Sequence, residues 1–570
     1  MKPIVATVFA CVMAIAAAFG SDQTADKGVS RAKRQKASSP SVASRLDEMQ
    51  SAIQAQQQTI QQLQQQLQSR DTAIQQLQQQ VNQLQTSSTQ TNTSQEATAA
   101  SVRNQVSDLK SNVDSATASL QETKKSVTSL ENPMAIRFKG ITLTPGGFIE
   151  AAGIYRSHNE NGDVTSTFGG IPFSGTANSQ LSEFRGTARQ SRFTLLAESQ
   201  INDWKVSGYY EADFLGAAPT ANELESTSFN LRQRQLWGQA ESKNGFSVLA
   251  GQSWSLITTD RKGLAPLHEL IPLTVDSQYV VGYNWARQWG ARVIKRFGDR
   301  AWAAFAIENP ETNLGVINPP AGVFGFNTSP NAQSPNSQFT LNNVPGANGI
   351  STDLAPDLIG KVVFEPGWGH YEVKALGRFF RDRIAGNNHV TGGGGGGFGA
   401  ILPASKKLDV VLEGLFGIAI GRYAGSVGPD VTLRPDGTIV PIRSLQALAG
   451  LELHPTSKWD LYAYGGEEYY GRADYVNLLG KGVGYGSRLA DNSGCSVEIP
   501  TPTQLCQAQV RNIWQLQPGF WYRFYKGPHG TVQYGMSYSY TFKNTWVGAN
   551  GLQPSALEHM IMSSFRYYLP

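Results

Sequence analysis

The chain has 570 residues, 40% of them hydrophobic and only 16% charged, with 58 Gly, 25 Phe, 20 Tyr and 11 Trp. Its 48 basic residues nearly balance its 44 acidic ones, so no strong basic field points to nucleic acid, and the aromatic content excludes a wholly disordered chain. After residue 19 no run approaches the roughly 18 apolar residues that a spanning helix needs, which excludes a polytopic helical membrane protein.

The first element is an address. Lys2 precedes the apolar run Ile4 to Ala18, and small residues follow. Ala16-Ala17-Ala18 or Ala18-Phe19-Gly20 before Ser21 fits a cleavage site, so residues 1–20 read as a secretory signal peptide. Export implies an oxidising compartment. Of the 3 cysteines only Cys495 and Cys506 then remain, in a stretch of Ser, Pro and Asn. A disulfide stapling a loop is expected, because no His or carboxylate stands nearby at metal or nucleophile spacing.

Residues 21–42 carry Arg31, Lys33, Arg34 and Lys36 among Ser, Ala and Gly, and read as a solvated linker. A periplasmic coiled-coil stalk is expected over 43–132. Leu46, Ile53, Ile60, Leu67, Ile74 and Val81 fill its a positions, and Met49, Gln56, Leu63, Arg70, Leu77 and Leu84 its d positions. The 3-4 spacing never slips between largely Gln-filled outer positions, as a coiled-coil seam requires. Residues 86–98 break the pattern with Ser, Thr, Asn and Gln. A second heptad in another phase runs from Val102 through Leu109 and Leu120 to Leu130, so two helices are predicted. Ile at a with Leu at d leans towards two strands, a preference that Gln56 and Arg70 weaken.

After Asn132-Pro133 the period changes to two. In 532–542 one face is Val532, Tyr534, Met536, Tyr538, Tyr540 and Phe542, and the other is Gln533, Gly535, Ser537, Ser539 and Thr541. Sixteen such segments are predicted, near 147–156, 190–201, 204–214, 229–242, 245–253, 283–297, 301–309, 357–365, 370–382, 391–402, 409–422, 444–454, 459–472, 512–525, 531–542 and 557–569. Their length, the aromatics at the ends of the apolar stripes, and connections that alternate short and long favour a transmembrane barrel over a soluble sandwich. The expected fold over 133–570 is therefore an all-β barrel of about 16 antiparallel strands with a water-filled lumen. The last strand alternates Ile561, Ser563, Phe565, Tyr567 and Leu569. It resembles the C-terminal signal strand of outer-membrane proteins, except that it ends in Pro570 where such chains usually end in Phe.

The blocks Ala188-Arg189-Gln190-Ser191-Arg192-Phe193, Tyr210-Glu211-Ala212-Asp213-Phe214-Leu215-Gly216, Leu231-Arg232-Gln233-Arg234 and Gly251-Gln252-Ser253-Trp254-Ser255-Leu256 make the likeness specific. The chain resembles DcaP-type outer-membrane porins, most clearly over 140–300. That resemblance implies a homotrimer in the outer membrane of a Gram-negative cell, a third outer loop folded into the lumen, and a preference for anionic solutes.

The loop after the fifth strand, 254–282, holds Asp260, Arg261, Lys262, His268 and Glu269 and would set selectivity if it folds inward. Alternation turns Arg192, Arg232, Arg234, Arg292, Lys374 and Arg378 to the lumen. Strand directions put Arg192, Arg232, Arg234 and Arg378 at similar heights, where guanidinium groups would gather carboxylate-type anions. Glu150, Glu198, Glu211, Asp213, Glu372 and Glu468 face inward too, so wall ion pairs are the competing use of those arginines. Gly392–Gly397 lacks the Gly-Lys-Ser/Thr of a phosphate loop and reads as a flat, closely packed strand. The 7 His have no metal spacing, and no Gly-x-Ser-x-Gly motif stands out. No cofactor, metal or enzymatic activity is expected. The expected function is passive diffusion of small anions. The alternative is a structural tether in which the barrel only anchors a stalk that contacts peptidoglycan.

Overall fold

The computed structural model describes residues 70, 74, 76–78, 110, 135–160, 162, 164, 168–216, 230–320 and 353–570. The chain divides into two units, 1–127 and 128–570. The predicted signal peptide and linker, and most of the heptad segment, lie outside the described residues. Arg70, Ile74, Gln76, Leu77, Gln78 and Lys110 are helical.

The second unit is a closed antiparallel barrel of sixteen wall strands. In chain order they are β1 (Ile141–Arg156), β2 (in two pieces, Glu183–Thr187 and Arg192–Ile201), β3 (Trp204–Gly216), β4 (Asn230–Ser242), β5 (Phe246–Trp254), β6 (Arg287–Phe297), β7 (Ala301–Glu308) and β8 (Asp357–Phe364). They continue as β9 (His370–Ile384), β10 (Asn387–Ser405), β11 (Leu408–Ile418), β12 (Arg443–Thr456), β13 (Trp459–Tyr470), β14 (Val510–Gly527), β15 (Gly530–Thr545) and β16 (Ser555–Tyr568). Each pairs with its neighbour in sequence. β1 closes the ring on β16, from Phe148 opposite Tyr568 to Arg156 opposite Met560. A two-residue step distinguishes the faces of a strand, which is why alternation located all sixteen.

The burial pattern is the reverse of a soluble protein's. Outward positions are apolar and exposed: Phe193, Trp289, Val293, Phe305, Val362, Val373, Phe398, Phe416, Ile561 and Phe565. Inward positions are polar and buried, among them Glu211, Lys361, Glu372, Arg378, Glu413, Gln446, Glu468 and Thr541. An apolar belt around a whole barrel is stable only against lipid.

The barrel has a short-turn end and a long-loop end. Asn202–Asp203, Lys406–Lys407, Ser457–Lys458 and Pro528–His529 are two-residue links at the first. The second carries the connections 157–182, 255–286, 309–356, 419–442 and 471–509. One link at the long-loop end is short, Ala385-Gly386 between β9 and β10. Within 471–509 a hairpin pairs Ala473–Val476 with Gly482–Tyr485. Cys495 and Cys506 are joined there, with Cα atoms 4.5 Å apart.

The glycine run lies in β10, between β9 and β11. Gly394 has φ +141°, and a Cβ there would sit 2.1 Å from the Leu376 carbonyl oxygen. A Cβ on Gly395 would meet the Phe416 carbonyl oxygen on the other side at 2.2 Å. Both neighbours approach because no side chain intervenes. Gly394→Ala is expected to cost about 1–3 kcal/mol. The barrel should then lose its compact, heat-resistant band on unboiled gels at a lower temperature than the parent does.

Candidate pore constriction

The connection 255–286 enters the barrel and runs along the inner wall. It begins on β7, where the Leu256 N–H donates to Glu308 at 2.7 Å. Lys361 of β8 donates to the Thr258 carbonyl and Lys374 of β9 to the Ile257 carbonyl, both at 2.6 Å. The Asp260 N–H reaches Glu372 at 2.7 Å, and the Thr259 hydroxyl reaches Glu413 of β11 at 2.8 Å. Arg261 forks onto Glu452 of β12 at 2.7 and 2.8 Å. The Gly263 N–H bonds Glu365, in a turn at the short-turn end, so the segment reaches down the lumen. Returning, Leu273 bonds the Tyr464 hydroxyl of β13 at 3.0 Å and accepts from Trp521 of β14 at 2.6 Å. Gly282 donates to Glu468 at 2.8 Å and Asn284 to Glu413 at 2.8 Å.

Buried carboxylates are costly unless their oxygens are bonded. Here the loop supplies the donors, from its backbone to Glu372, Glu413 and Glu468 and from the Arg261 side chain to Glu452, which explains why acidic residues line β9, β11, β12 and β13. Apolar packing adds to this. Val275, Tyr279, Val280, Val281 and Tyr283 of the loop are buried with Tyr462, Tyr464, Trp521, Met560 and Met562 of the wall. Val164, Phe168 and Ile171 of the 157–182 connection join the same cluster, and the Phe168 and Tyr279 rings stack at 4.4 Å. Each fully buried apolar side chain contributes about 1.5–3 kcal/mol. Small wall residues make room for the loop backbone. A Cβ on Gly466 would lie 1.7 Å from the Val281 carbonyl oxygen, and one on Gly282 (φ +83°) would lie 2.0 Å from that of Ala447.

The loop residues singled out from sequence divide into two groups. Asp260 is buried and paired with Lys361 at 2.8 Å, Arg261 is tied to Glu452, and Glu269 is buried opposite Asp260. Lys262 and His268 are exposed, and the His268 ring bonds the Lys262 carbonyl. Burial first, then the charge of Asp260, pushes the Glu269 carboxyl up to about 7.

The six lumenal cations do not form one ring. Lys374 is buried beneath the loop, 3.4 Å from Glu372. Arg378 is fully buried under the 419–442 connection, bonded to Asp357 at 3.1 Å and Asp430 at 2.7 Å. Arg292 is buried near Asp260 and Glu269. These three are covered because long connections fold inward over them, which strand alternation cannot reveal. Arg192, Arg232 and Arg234 do come together. Arg232 forks onto Asp213 at 3.0 and 2.8 Å, Arg234 bridges Glu211 and Asp213, and Arg192 stands 3.5 Å from Glu211. The side chains of Arg192 and Arg232 keep 25% and 33% of their exposure, while that of Arg234 keeps 3%.

Two further arginines belong here. Arg287, at the start of β6, lies over Trp254 and Trp285 at 5.2 and 5.6 Å and feels the charges of Arg234, Arg232 and Arg192. Its Nε and Nη1 are buried without a hydrogen-bond partner among the described residues. Arg566 of β16 holds Glu150 at 2.8 Å and donates to the Val275 carbonyl of the loop. Asp276 of the loop faces Glu150, Arg234 and Arg566. The sequence carried a usable signal for Arg566, whose strand alternates cleanly. Asp276 had none beyond its place in the loop.

Accessible lumenal positions lie along β2 to β4: Arg192, Thr194, Glu198, Ser207, Arg232 and Gln239 are only partly buried. Those on β8 to β13 are covered by the loop. The partly accessible lumenal positions thus lie on the first strands, beside the guanidinium cluster.

Burial pushes the Asp276 carboxyl up to about 6, opposed by a backbone hydrogen bond from Gln278. Above that pH the group is an anion facing the arginines; below it the group is neutral. Lowering the pH from 7 to 5 therefore removes negative charge from the constriction, and the preference for anions over cations should rise. Reversal potentials in a salt gradient check this, and Asp276→Asn should flatten the change.

Asp409, Glu452 and His454 bring ligand atoms within 4.8 Å of one another. Arg261 already forks onto Glu452, and His454 is held by Asp460 at 2.7 Å, so this group is a matched ion-pair network.

The barrel is similar to the outer membrane channel DcaP of Acinetobacter baumannii, with a TM-score of 0.51 and 14% sequence identity over 76% of this chain and 99% of that one. The anion-selective porin from Comamonas acidovorans matches with a TM-score of 0.40 and 11% identity over 75% of this chain and 100% of that one. OprB of Pseudomonas putida matches with a TM-score of 0.39 and 11% identity over 74% and 94%. The first likeness shows a shared fold, and the other two are too distant to carry an argument. No family model and no curated protein matches the sequence.

Proposed function

We propose that the chain is an outer-membrane porin through which small hydrophilic anions diffuse passively. The observation that carries this reading is the constriction. Five guanidinium groups, from Arg192, Arg232, Arg234, Arg287 and Arg566, meet four carboxylates, from Glu150, Glu211, Asp213 and Asp276. Arg287 has no carboxylate of its own. A guanidinium charge held in a low-dielectric wall attracts a carboxylate and repels cations. The inward loop narrows the lumen to one side, and the wall opposite stays polar and accessible.

The outer-membrane setting follows from the apolar exterior and the two unequal ends. The short turns face the periplasm and the long loops the cell exterior. Residues 1–20 direct export, and 43–132 form a coiled-coil stalk in the periplasm. Ile74 and Leu77, at a and d positions, stand exposed on the single chain, which favours a seam completed by other copies. The barrels form a homotrimer, with the stalk as its second point of association.

Deleting 43–131 tests the stalk. The expected result is a barrel that still conducts but dissociates into monomers at lower detergent or temperature. Loss of co-sedimentation with peptidoglycan, with trimers unchanged, would instead support a cell-wall tether.

A further inference from the structure

At the long-loop end two arginines lie over one tryptophan, and a third stands close to them. Trp546, which follows the end of β15, packs on the buried Ile442, Tyr470 and Tyr485, and its indole N–H donates to the Tyr470 carbonyl at 3.1 Å. Its ring lies 6.0 Å from that of Tyr469 at the end of β13. It stands just above the outward aromatics Trp514, Tyr540 and Phe542, whose rings pack together on the barrel exterior. That is the level of the membrane–water boundary, where Trp and Tyr rings settle.

Arg472 lies over the Trp546 ring at 4.6 Å and Arg511 over the same ring at 5.2 Å. Both guanidinium planes are thereby positioned, with their edges left for other contacts. Arg472 gives one N–H to the Val547 carbonyl at 3.0 Å, and its Nε is buried without a partner. Arg511 is exposed and makes no ion pair among the described residues. Arg488, exposed on the neighbouring hairpin, is held by Asp474 at 3.2 Å. Burial first, then the charge of Arg488, holds the Arg472 guanidinium below its ordinary pKa. Among the described residues, Asp474 is the one carboxylate in an ion pair with any of the three, held by Arg488, and Glu467 is already bonded by Asn512 at 3.3 Å. Positive charge is left over at the rim.

We infer that Arg472, Arg511 and Trp546 form a binding site for a phosphate group on a lipid headgroup of the outer leaflet. A forked guanidinium matches a phosphate's oxygens, and two of them on one ring would hold it from both sides. The tryptophan fixes the two guanidinium groups, and the outward aromatics just below it offer the apolar surface on which a phosphorylated sugar lipid would lay its acyl chains. The inference rests on the outer-membrane reading above and adds the lipid that the rim selects.

The test is a calorimetric titration of the full chain, purified in detergent, with lipid A carrying its phosphates. Saturable binding is expected. Arg472→Gln with Arg511→Gln should weaken it roughly tenfold or more, the loss of two charge-assisted bidentate contacts. Lipid A stripped of phosphate should bind the parent no better than it binds the double variant. Equal binding of phosphorylated lipid to parent and double variant would overturn the site. Inorganic phosphate that bound as tightly as the lipid would overturn the headgroup as its occupant. Conductance in planar bilayers separates the two readings. A silent barrel defeats the porin, whereas a conducting barrel whose lipid titration ignores both arginines defeats this site alone.

Discussion

Replacing residues 258–284 with a short Gly-Ser turn is expected to raise single-channel conductance severalfold and to move selectivity towards cations. A sixteen-stranded ring encloses an aqueous channel when nothing fills it, and here the 255–286 connection occupies much of that space. The sign of the selectivity change comes from what the loop covers. Glu372, Glu413, Glu452 and Glu468 are buried against the excised residues, with Lys361, Lys374 and Arg292. Excision would expose four carboxylates, two ammonium groups and one guanidinium to the current path, a net of one negative charge. Water would solvate them, so the barrel should still assemble, with a lower melting temperature from the lost apolar cluster. Unchanged conductance would mean that the loop does not lie in the ion path.

Substituting Arg192→Gln and Arg287→Gln together is expected to reduce the anion-to-cation permeability ratio by an order of magnitude or more. These two arginines are chosen because the wall spends least on them. Arg192 is partly exposed and stands 3.5 Å from Glu211, and Arg287 makes no ion pair among the described residues, feeling the charge of Glu211 without touching it. A unit charge at 4 Å is worth about 1 kcal/mol in water and about 4 kcal/mol at the effective dielectric of a protein surface. Even the lower value, for each of two charges, is about a twentyfold to thirtyfold change in the ratio. Arg234 and Arg378 should behave differently. Each is buried and shared between two carboxylates, and removing one partner of a buried network costs about 3–5 kcal/mol. Arg378→Ala should therefore impair folding, read as reduced assembly into the membrane, before it alters reversal potential.

Alternation exposed the barrel because half of every strand meets lipid and half meets the lumen. The same averaging gives a mean hydropathy of −0.30, the value of an ordinary soluble chain. The strands from 204 to 214 and from 357 to 365 match β3 and β8 to within two residues, since a period of two needs no knowledge of the partner. The inward turn of Arg192, Arg232 and Arg234 was legible for the same reason. What alternation does not contain is the path of the connections. Lys374 and Arg378 point inward as the pattern requires, yet loops from elsewhere in the chain bury them. The pairing of Arg261 with Glu452, 191 residues away, has no local signature. Nor does Asp276, which gains its importance from facing Arg566 and Arg234 across the lumen. The glycines Gly282 and Gly466 mark where the loop presses on the wall, but only the fold shows which backbone each of them admits.

The most direct test of the whole account is the current through the purified full chain in a planar bilayer under a salt gradient. Stepwise openings in groups of three are expected, ohmic at low voltage, with a reversal potential on the anion side that grows as the pH falls from 7 to 5. A barrel that inserts and stays silent, or one that conducts with a cation-side reversal potential at both pH values, would contradict it.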